Sequence, residues 1–464
     1  MPMRLLLPLT ALLLVACGET TNDQAAPDAG QGDSDGGNAE ADAGARELKV
    51  HVRGAREREV YVLLGDGAGT PQGRTTQGDI TLAADAPQDV TVVDASGAKT
   101  TVLTVRAVAP VELTVLWPAR PAGAAGTIRG TLEGTTSAGK AWAAGAYFAG
   151  GGRARTRSVA NDKSFAVTTR NTGEFWLAGY EADGTGALAK PLRAGLVRTG
   201  LSLAAGATVT GADVTLTHPF DQAVPVKVAN VNEFAFPAFG GGVFYDFPNG
   251  GRPVRISYPG LGAFLGGSGT VPAVARTAPF DDCTYGVAVG AQDTDTTSIH
   301  LKSGLTSLTQ EVEVRPLPFV ALTASSPVKH DAVDVRWTAP EVRTAEAMLL
   351  VNGPREGLHA GESPVISDAA SFAWIVLAPP TGQERSFKPF ALPPASGAPE
   401  RIPGGPGCGQ GQLSAGCYQL YVFAVDDATQ TWTDVVQGRL DFFQVTARPD
   451  VRISIAEAAL TVEP

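Results

Sequence analysis

The sequence predicts an all-β protein made of tandem antiparallel β-sandwich domains that follow a disordered tether. Short runs in which aliphatic and polar residues alternate recur along the chain, separated by many of its 55 glycines and 33 prolines. No amphipathic stretch of helical period and useful length accompanies them. Alternation with a period of two places apolar side chains on one face of a strand, and Gly or Pro clusters end it.

The first sixteen residues are typical of a secretion signal. Arg4 supplies one positive charge, and the run from Leu5 to Ala16 is apolar apart from Pro8 and Thr10. As a helix, that run would span roughly 18 Å, which is too short for a hydrocarbon core of about 30 Å. The pattern therefore predicts a cleaved signal peptide over residues 1–16 rather than a membrane-spanning helix.

The end of this segment, Leu14-Val15-Ala16-Cys17, resembles the lipobox of bacterial lipoproteins. The resemblance implies that Cys17 carries the lipid and becomes the first mature residue. Three acyl chains would anchor the chain firmly, since two lipid signals already give stable attachment. Gly18 stands where an aspartate retains such proteins in the inner membrane of enteric bacteria, which favours the outer membrane. The alternative is an ordinary cleaved signal followed by an unmodified cysteine.

Residues 17–45 are predicted to form a disordered, acidic tether. The 28 residues after Cys17 include no aromatic, large aliphatic or basic residue, so no apolar burial offsets the entropy of ordering them. Once Arg4 leaves with the signal, the mature chain carries −12, of which −7 lies in the tether and −5 in residues 46–464. The mildly acidic body has no basic stretch of the kind that binds nucleic acid, so no nucleic-acid partner is expected.

Two β-sandwich modules are predicted next, over residues 46–117 and 127–218. The first contains several short alternating runs, of which Leu48–Val52 is one. The second begins with Ile128-Arg129-Gly130 and ends with Asp213-Val214-Thr215-Leu216. It resembles the prealbumin-like modules related to the regulatory domain of carboxypeptidases, which implies an accessory, non-catalytic sandwich.

Residues 219–316 are predicted to form a less regular β module with aromatic residues on Gly-rich segments. Phe244, Tyr245 and Phe247 lie in the densest part of this stretch and are candidates for an exposed ligand surface. The alternative is that they fill the core of a module that has few aliphatic residues. The core interpretation is favoured, because an exposed apolar patch of that size requires a partner.

Residues 317–464 resemble a fibronectin type III or immunoglobulin-like sandwich. The run Ala332–Trp337 alternates and ends in a tryptophan, as an early core strand of such domains does, and Tyr418–Asp426 resembles the late strand that faces it. The resemblance implies that Trp337 is a core residue. The Pro/Gly-rich stretch 378–413 is predicted to be a surface insertion.

The four cysteines give one predicted disulfide. Cys408 and Cys417 flank a short loop, and an oxidising envelope would favour their pairing. Cys283 is left over, either as a small buried thiol, which is the favoured interpretation, or as a nucleophile.

No metal, cofactor or catalytic residue is predicted. The five histidines are scattered with no HExxH or i, i+4 pair, and no cysteine has zinc-ligand spacing. No acidic run matches an EF-hand loop. Asp293 and Asp295 are candidates for a calcium site in a loop, an interpretation that is not favoured.

The sequence therefore predicts a non-enzymatic, lipid-anchored protein of the cell envelope that displays β-sandwich domains for binding or structural roles. Its tether and lipobox resemble those of myxobacterial lipoproteins. The expected partners are the membrane, through the lipid, and an envelope protein or polysaccharide. The alternatives are an envelope hydrolase or carbohydrate-active protein with a site in residues 219–464, and a purely structural spacer.

Overall fold

The computed structural model describes a set of residue ranges that together hold 33 strands and one short helix. The described ranges are 47–53, 60–65, 73–75, 78–94, 100–109, 111–117, 123–135, 141–149, 153–156, 162–183, 190–229, 238–249, 254–259, 264–265, 271–278, 280–292, 295–305, 311–352, 372–390, 416–439 and 450–463. Cys17, the predicted tether and Cys408 lie outside them. Within these ranges, no helix has the length and apolar character needed to cross a membrane.

The strands follow one another along the whole described chain. The first group is β1 (Glu47–Arg53), β2 (Val60–Leu64), β3 (Gly73–Thr75), β4 (Asp79–Ala83), β5 (Gln88–Asp94), β6 (Thr100–Val108) and β7 (Glu112–Leu116). The second is β8 (Gly126–Glu133), β9 (Ala141–Phe148), β10 (Arg153–Thr156), β11 (Ser164–Thr169), β12 (Gly173–Asp183), β13 (Lys190–Val197), β14 (Ser202–Leu203), β15 (Thr208–Val209), β16 (Val214–Thr215) and β17 (His218–Pro219).

The remaining elements include the helix. The third group is β18 (Gln222–Val228), β19 (Ala238–Phe247), β20 (Val254–Pro259), β21 (Phe264–Leu265), β22 (Val271–Thr277), β23 (Thr284–Gln292), β24 (Thr296–Leu305) and β25 (Val312–Val314). The fourth is β26 (Ala321–Ala324), β27 (Val328–Lys329), β28 (Val335–Thr338), β29 (Ala345–Asn352), β30 (Phe372–Ala378), β31 (Glu384–Phe387), β32 (Gly416–Asp427), α1 (Trp432–Val436) and β33 (Asp450–Glu463).

One large sheet of 14 strands forms the centre of the molecule. Its order is β20-β19-β23-β24-β33-β32-β29-β30-β6-β5-β2-β3, with β21 beside β19 and β27 beside β33. Most neighbours are antiparallel, whereas β6 with β30 and β27 with β33 are parallel. The all-β fold class is confirmed. The sheet crosses the predicted domains 46–117, 219–316 and 317–464, because the alternation within a strand shows which side chains are buried but not which strand lies beside it.

Three small sheets cover this central sheet. The sheet β4-β1-β7 and α1 share one hydrophobic core with one face. The sheets β22-β18-β25 and β26-β28-β31 form two separate cores on the opposite face. Strand β31 lies inside the predicted surface insertion 378–413, so part of that stretch is a core strand paired with β28.

Burial on both faces explains why β29 and β30, in the middle of the central sheet, are apolar at most positions. In β29, Leu349 packs in the first core and Leu350 in the opposite one. Each buried leucine contributes about 1.5–3 kcal/mol through the area removed from water. These two strands are therefore hydrophobic runs, whereas β1 and β11, which are covered on one face, show the alternating pattern.

Residues 126–219 form a sandwich of their own. The sheet β10-β9-β12-β13-β17 packs against β11-β8-β15, with a core that includes Ile128, Phe175 and Leu177. Gly130, in the motif that opens this stretch, allows a close backbone approach, because a Cβ there would lie 2.0 Å from the carbonyl oxygen of Ala212.

Candidate functional site

The aromatic residues predicted as a possible ligand surface lie inside the protein. Phe244, Tyr245 and Phe247 are 3%, 0% and 0% exposed. Phe244 points into the core beneath β4-β1-β7, and the other two point into the core beneath β22-β18-β25. The exposed ligand surface is therefore wrong for these residues and the core alternative is right, because β19 is covered on both faces.

The buried aromatics also join the sandwich to the end of the central sheet. The ring centroids of Trp176 and Phe247 are 5.5 Å apart, and those of Tyr180 and Tyr258 are 5.9 Å apart in a T-shaped arrangement. The Arg198 guanidinium lies 4.4 Å from the centroid of the Phe247 ring. Such aromatic pairs contribute about 0.5–1.5 kcal/mol each beyond their burial. The aromatic stretch thus forms a junction within the chain.

The two described cysteines carry free thiols. Cys283 is half-buried with its Sγ 3.4 Å from the carbonyl oxygen of Phe280, and burial raises its pKa to about 11. Its thiol is therefore protonated at neutral pH, which does not support a nucleophilic role. Cys417 is exposed at the start of β32 and unpaired in this structure, so the pairing with Cys408 stays a prediction.

A row of polar side chains crosses the central sheet between the two cores of one face, and we call it the polar seam. The strand register places His300 opposite Arg452, Lys302 opposite Asp450, and Arg452 opposite Asp426. The seam consists of Ser298, His300 and Lys302 on β24, Asp450, Arg452 and Ser454 on β33, and Asp426 on β32. The segment 315–320, which we call the crossover, runs from β25 to β26 and contacts the seam through the backbone of Arg315 and Val320.

Asp426 is the most buried carboxylate of the seam, with a side chain that is 1% exposed. Arg343 donates to it through Nε at 2.7 Å and Nη2 at 3.0 Å, and Arg452 donates from the neighbouring strand. Burial alone would raise the pKa of this carboxyl, but the hydrogen bonds from the two guanidinium groups outweigh it and lower the pKa. Asp426 is thus ionised and fully engaged.

His300 uses both ring nitrogens. The backbone N–H of Arg315 donates to Nδ1 at 2.6 Å, and Nε2 lies 2.6 Å from Oδ1 of Asp450. Because a backbone N–H can only donate, Nδ1 is the acceptor and Nε2 carries the proton. Burial lowers the pKa of His300, while the hydrogen bond from His300 holds the pKa of Asp450 well below its usual range.

These contacts decide what chemistry the seam can perform. Ser298 and Ser454 lie on the same face as the His300–Asp450 pair, as a hydrolase would need. Activating a serine requires a free imidazole nitrogen as general base, and neither nitrogen of His300 is free in this geometry. Among the described residues, no group of three or more metal-ligating side chains comes together. The seam therefore fastens strands and the crossover to each other.

A second buried charge holds the sheet β26-β28-β31 in place. Glu346 on β29 accepts from Trp337 Nε1 at 3.0 Å and from Arg385 Nε at 2.9 Å, and the backbone N–H of Thr381 donates to its other oxygen at 2.9 Å. Trp337 is 1% exposed, which confirms it as a core residue.

Among the residues of the polar seam and the groups bound to Glu346, Trp337 is the one that the sequence predicted. The available signal was a polar residue at a position where an apolar strand continues, as at His300 in β24 and Asp426 in β32.

Comparisons with known proteins identify no family. No family model matches the chain, and no curated protein matches it. Several solved structures show a likeness, among them these three. A tetra-tandem repeat in the extending region of a large adhesion protein is 10% identical with a TM-score of 0.13, covering 80% of this chain and 88% of its own. A mutant of the major pilin from Streptococcus pyogenes is 8% identical with a TM-score of 0.11, covering 55% and 98%.

A streptococcal ancillary pilin is the third, 9% identical with a TM-score of 0.14, covering 66% of this chain and 93% of its own. TM-scores and identities this low carry no argument about function.

Proposed function

We propose that this chain is a lipid-anchored protein of the cell envelope, held in the outer membrane, whose layered β body serves a structural or adhesive role without catalysis. The observation that supports the role most directly is the use of the buried polar groups. Asp426, His300 and Glu346 each bind groups from other strands or segments, and each has its hydrogen-bonding capacity engaged in holding sheets together. Such groups stabilise a rigid body, and in this geometry none of these three side chains is free to act on a ligand.

The position of β1 in its sheet fits attachment of the folded part through a tether that precedes β1. The first described strand, β1, is the middle strand of its sheet and pairs over five residues with β4 and over five with β7. A pull along β1 from the preceding residues loads both ladders of hydrogen bonds together, because the bonds to β4 are perpendicular to the strand and those to β7 run across it at a slant. The proposed partners are the membrane, through the lipid on Cys17, and an envelope protein or polysaccharide.

The anchor is tested by lipid labelling of the full-length protein in a bacterial host. We expect the wild type to incorporate radioactive palmitate and to sediment with membranes, and Cys17→Ala to lose both properties. Cys283→Ala is the matched control and should behave as the wild type. Labelling of Cys17→Ala equal to the wild type would refute the anchor.

The non-catalytic role is tested on the same protein, purified in detergent. Incubated with peptidoglycan and with cell-surface polysaccharides, it should release no reducing ends or peptides, while it should co-sediment with one of these polymers or with intact cells if it is adhesive. Turnover that disappears in His300→Gln or Cys283→Ala would overturn the proposal in favour of a hydrolase. If the protein co-sediments with none of these polymers and not with cells, the adhesive role is rejected and the purely structural one is retained.

A further inference from the structure

The crossover links two covering sheets and has few backbone donors with which to hold itself in place. It leaves β25 in the sheet β22-β18-β25 and enters β26 in the sheet β26-β28-β31. Pro316 and Pro318 lie within it, and neither has a backbone N–H. Its contacts to the central sheet include Arg315 N–H to His300 Nδ1 at 2.6 Å and Val320 N–H to Ser454 Oγ at 3.1 Å.

The contact at Arg315 depends on the protonation state of His300. A neutral imidazole with its proton on Nε2 offers a lone pair at Nδ1, which the backbone N–H of Arg315 uses. An imidazolium carries protons on both nitrogens, so the same contact would set one donor against another. The contact to Asp450 would survive, because Nε2 keeps its proton and the carboxylate still accepts. Protonation therefore removes one identified contact and preserves the other.

We infer that His300 is an acid-sensitive latch, which holds the crossover on the central sheet while its imidazole is neutral and releases the crossover when the imidazole is protonated. The consequence is a loosening of the joint between the two sheets that cover the same face. The serine contact at Val320 does not titrate, so the Arg315 end of the crossover opens first.

The charges around His300 set the direction of the effect. Burial disfavours the imidazolium most, Asp450 favours it, and Lys302 and Arg452 oppose it. From the crossover side, Arg315 is paired with Glu313 at 2.8 Å, so its guanidinium is compensated. The balance lowers the pKa of His300 below that of a free histidine. The latch is closed at neutral pH.

The lowered pKa of His300 sets the pH range in which the latch opens. A histidine released from the fold has a pKa of about 6.5, so the released state binds protons more readily than the latched state, and the latch weakens as pH falls below about 6.5. Asp450 acts in a different window. Its lowered pKa makes it stabilise the fold at neutral pH, and that contribution is lost only as pH falls below about 4. A loosening of the crossover between pH 6.5 and 4.5 is therefore assigned to His300 rather than to Asp450.

Hydrogen–deuterium exchange of the mature protein tests the latch at pH 7.5 and 5.0, with rates corrected for the intrinsic pH dependence of exchange. In the wild type, we expect peptides covering 311–321 to lose protection by about fivefold or more at pH 5.0, while peptides of β12 do not change. His300→Gln can accept from Arg315 and donate to Asp450 at both pH values, and should show no such step. His330→Gln, a half-buried histidine outside the seam, should keep the wild-type step.

A wild-type step that persists in His300→Gln, or the absence of a wild-type step, would overturn the inference. If His300→Gln does not fold, a second measurement, made on the wild type, still tests the inference. In wild-type protein labelled with ¹⁵N-histidine and ¹⁵N-arginine, His300 should be the Nε2–H tautomer at pH 7.5, and the Arg315 amide should shift with the same midpoint as the His300 ring. An Nδ1–H tautomer or unrelated midpoints would also overturn it.

Discussion

The sandwich of residues 126–219 and the central sheet are both built from short apolar strands, but they find their neighbours differently. In the sandwich, all strands of both sheets come from one stretch of about ninety residues, and one core serves them. In the central sheet, β6 pairs with β30 and β24 pairs with β33, although long stretches of chain separate the two strands of each pair. The local sequence pattern is thus enough to form each strand. The central sheet also requires strands that are far apart in the chain to pair.

The largest expected effect comes from removing β33. This strand lies between β24 and β32 and is the connection within the sheet between the 238–305 strands and the rest. Deleting residues 450–464 should abolish cooperative unfolding of the central body and leave the sandwich folded, because β33 contributes to none of the sandwich's sheets. Limited proteolysis with mass spectrometry should yield a protected fragment near 123–219. If residues 238–439 of the deletion variant resist the protease as well as they do in the wild type, the proposed role of β33 is wrong.

The buried ion pair at Glu346 should give the next largest effect. Glu346→Ala leaves Arg385, whose side chain is 14% exposed, without its carboxylate, and breaking a buried pair in this way costs about 3–5 kcal/mol. Denaturant unfolding followed by tryptophan fluorescence measures the change. Glu174→Ala, at an exposed position of β12, is the control and should change stability by less than about 0.5 kcal/mol. Equal effects of the two variants would refute the structural role of Glu346.

Within the sandwich, the sharpest probe is Gly130→Ala. The added methyl group would collide with the carbonyl oxygen of Ala212 and with the ring of Phe165, so overpacking should cost about 1–3 kcal/mol. The loss should appear as earlier proteolysis of 126–219 with the central body unaffected. Thr168→Ala, on the exposed face of the same sheet, is the control. A stable Gly130→Ala variant would show that the two segments can separate without loss.

The smallest effect is expected at the exposed Asp79. Hydrogen bonds from Arg53 and from His51 lower its pKa, so the interaction stabilises the fold above a pH of about 4 and is lost below it. Because such surface pairs are worth about 0–1 kcal/mol, Asp79→Asn should lower stability at pH 7 by no more than that. The difference from the wild type should shrink as the pH falls below about 4, and it should also shrink in 1 M salt. A difference that does not change with pH would mean that packing, not charge, explains it.

The sequence predicted the parts of the fold that local physics determines. Period-two alternation predicted β1, and the motif Ile128-Arg129-Gly130 marked the first strand of the sandwich. Trp337 was expected in the core and lies there. The parallel pairing of β6 with β30 left no such trace, because a strand that is buried on both faces is apolar whichever neighbour it has.

The candidate site shows the same limit. His300 and Asp450 are separated by 150 positions, and their proximity exists only after β24 and β33 align. The aromatic stretch at Phe244–Phe247 was visible, but its role depended on which sheets cover β19. The signal that the sequence did offer for this site was a polar residue next to apolar residues in a strand, as at His300.

The position of β33 in the chain has a consequence for how the protein is made. All the strands that β33 joins precede it in the chain, so during synthesis the strand edges that will face β33 stay unpaired until residues 450–463 have been made. Contacts of such high sequence separation form late and slowly. The sandwich can form while the rest of the chain is still being synthesised, whereas the central body can be completed only afterwards. During that interval the exposed apolar strands of the central body are prone to aggregate and are suited to binding by chaperones.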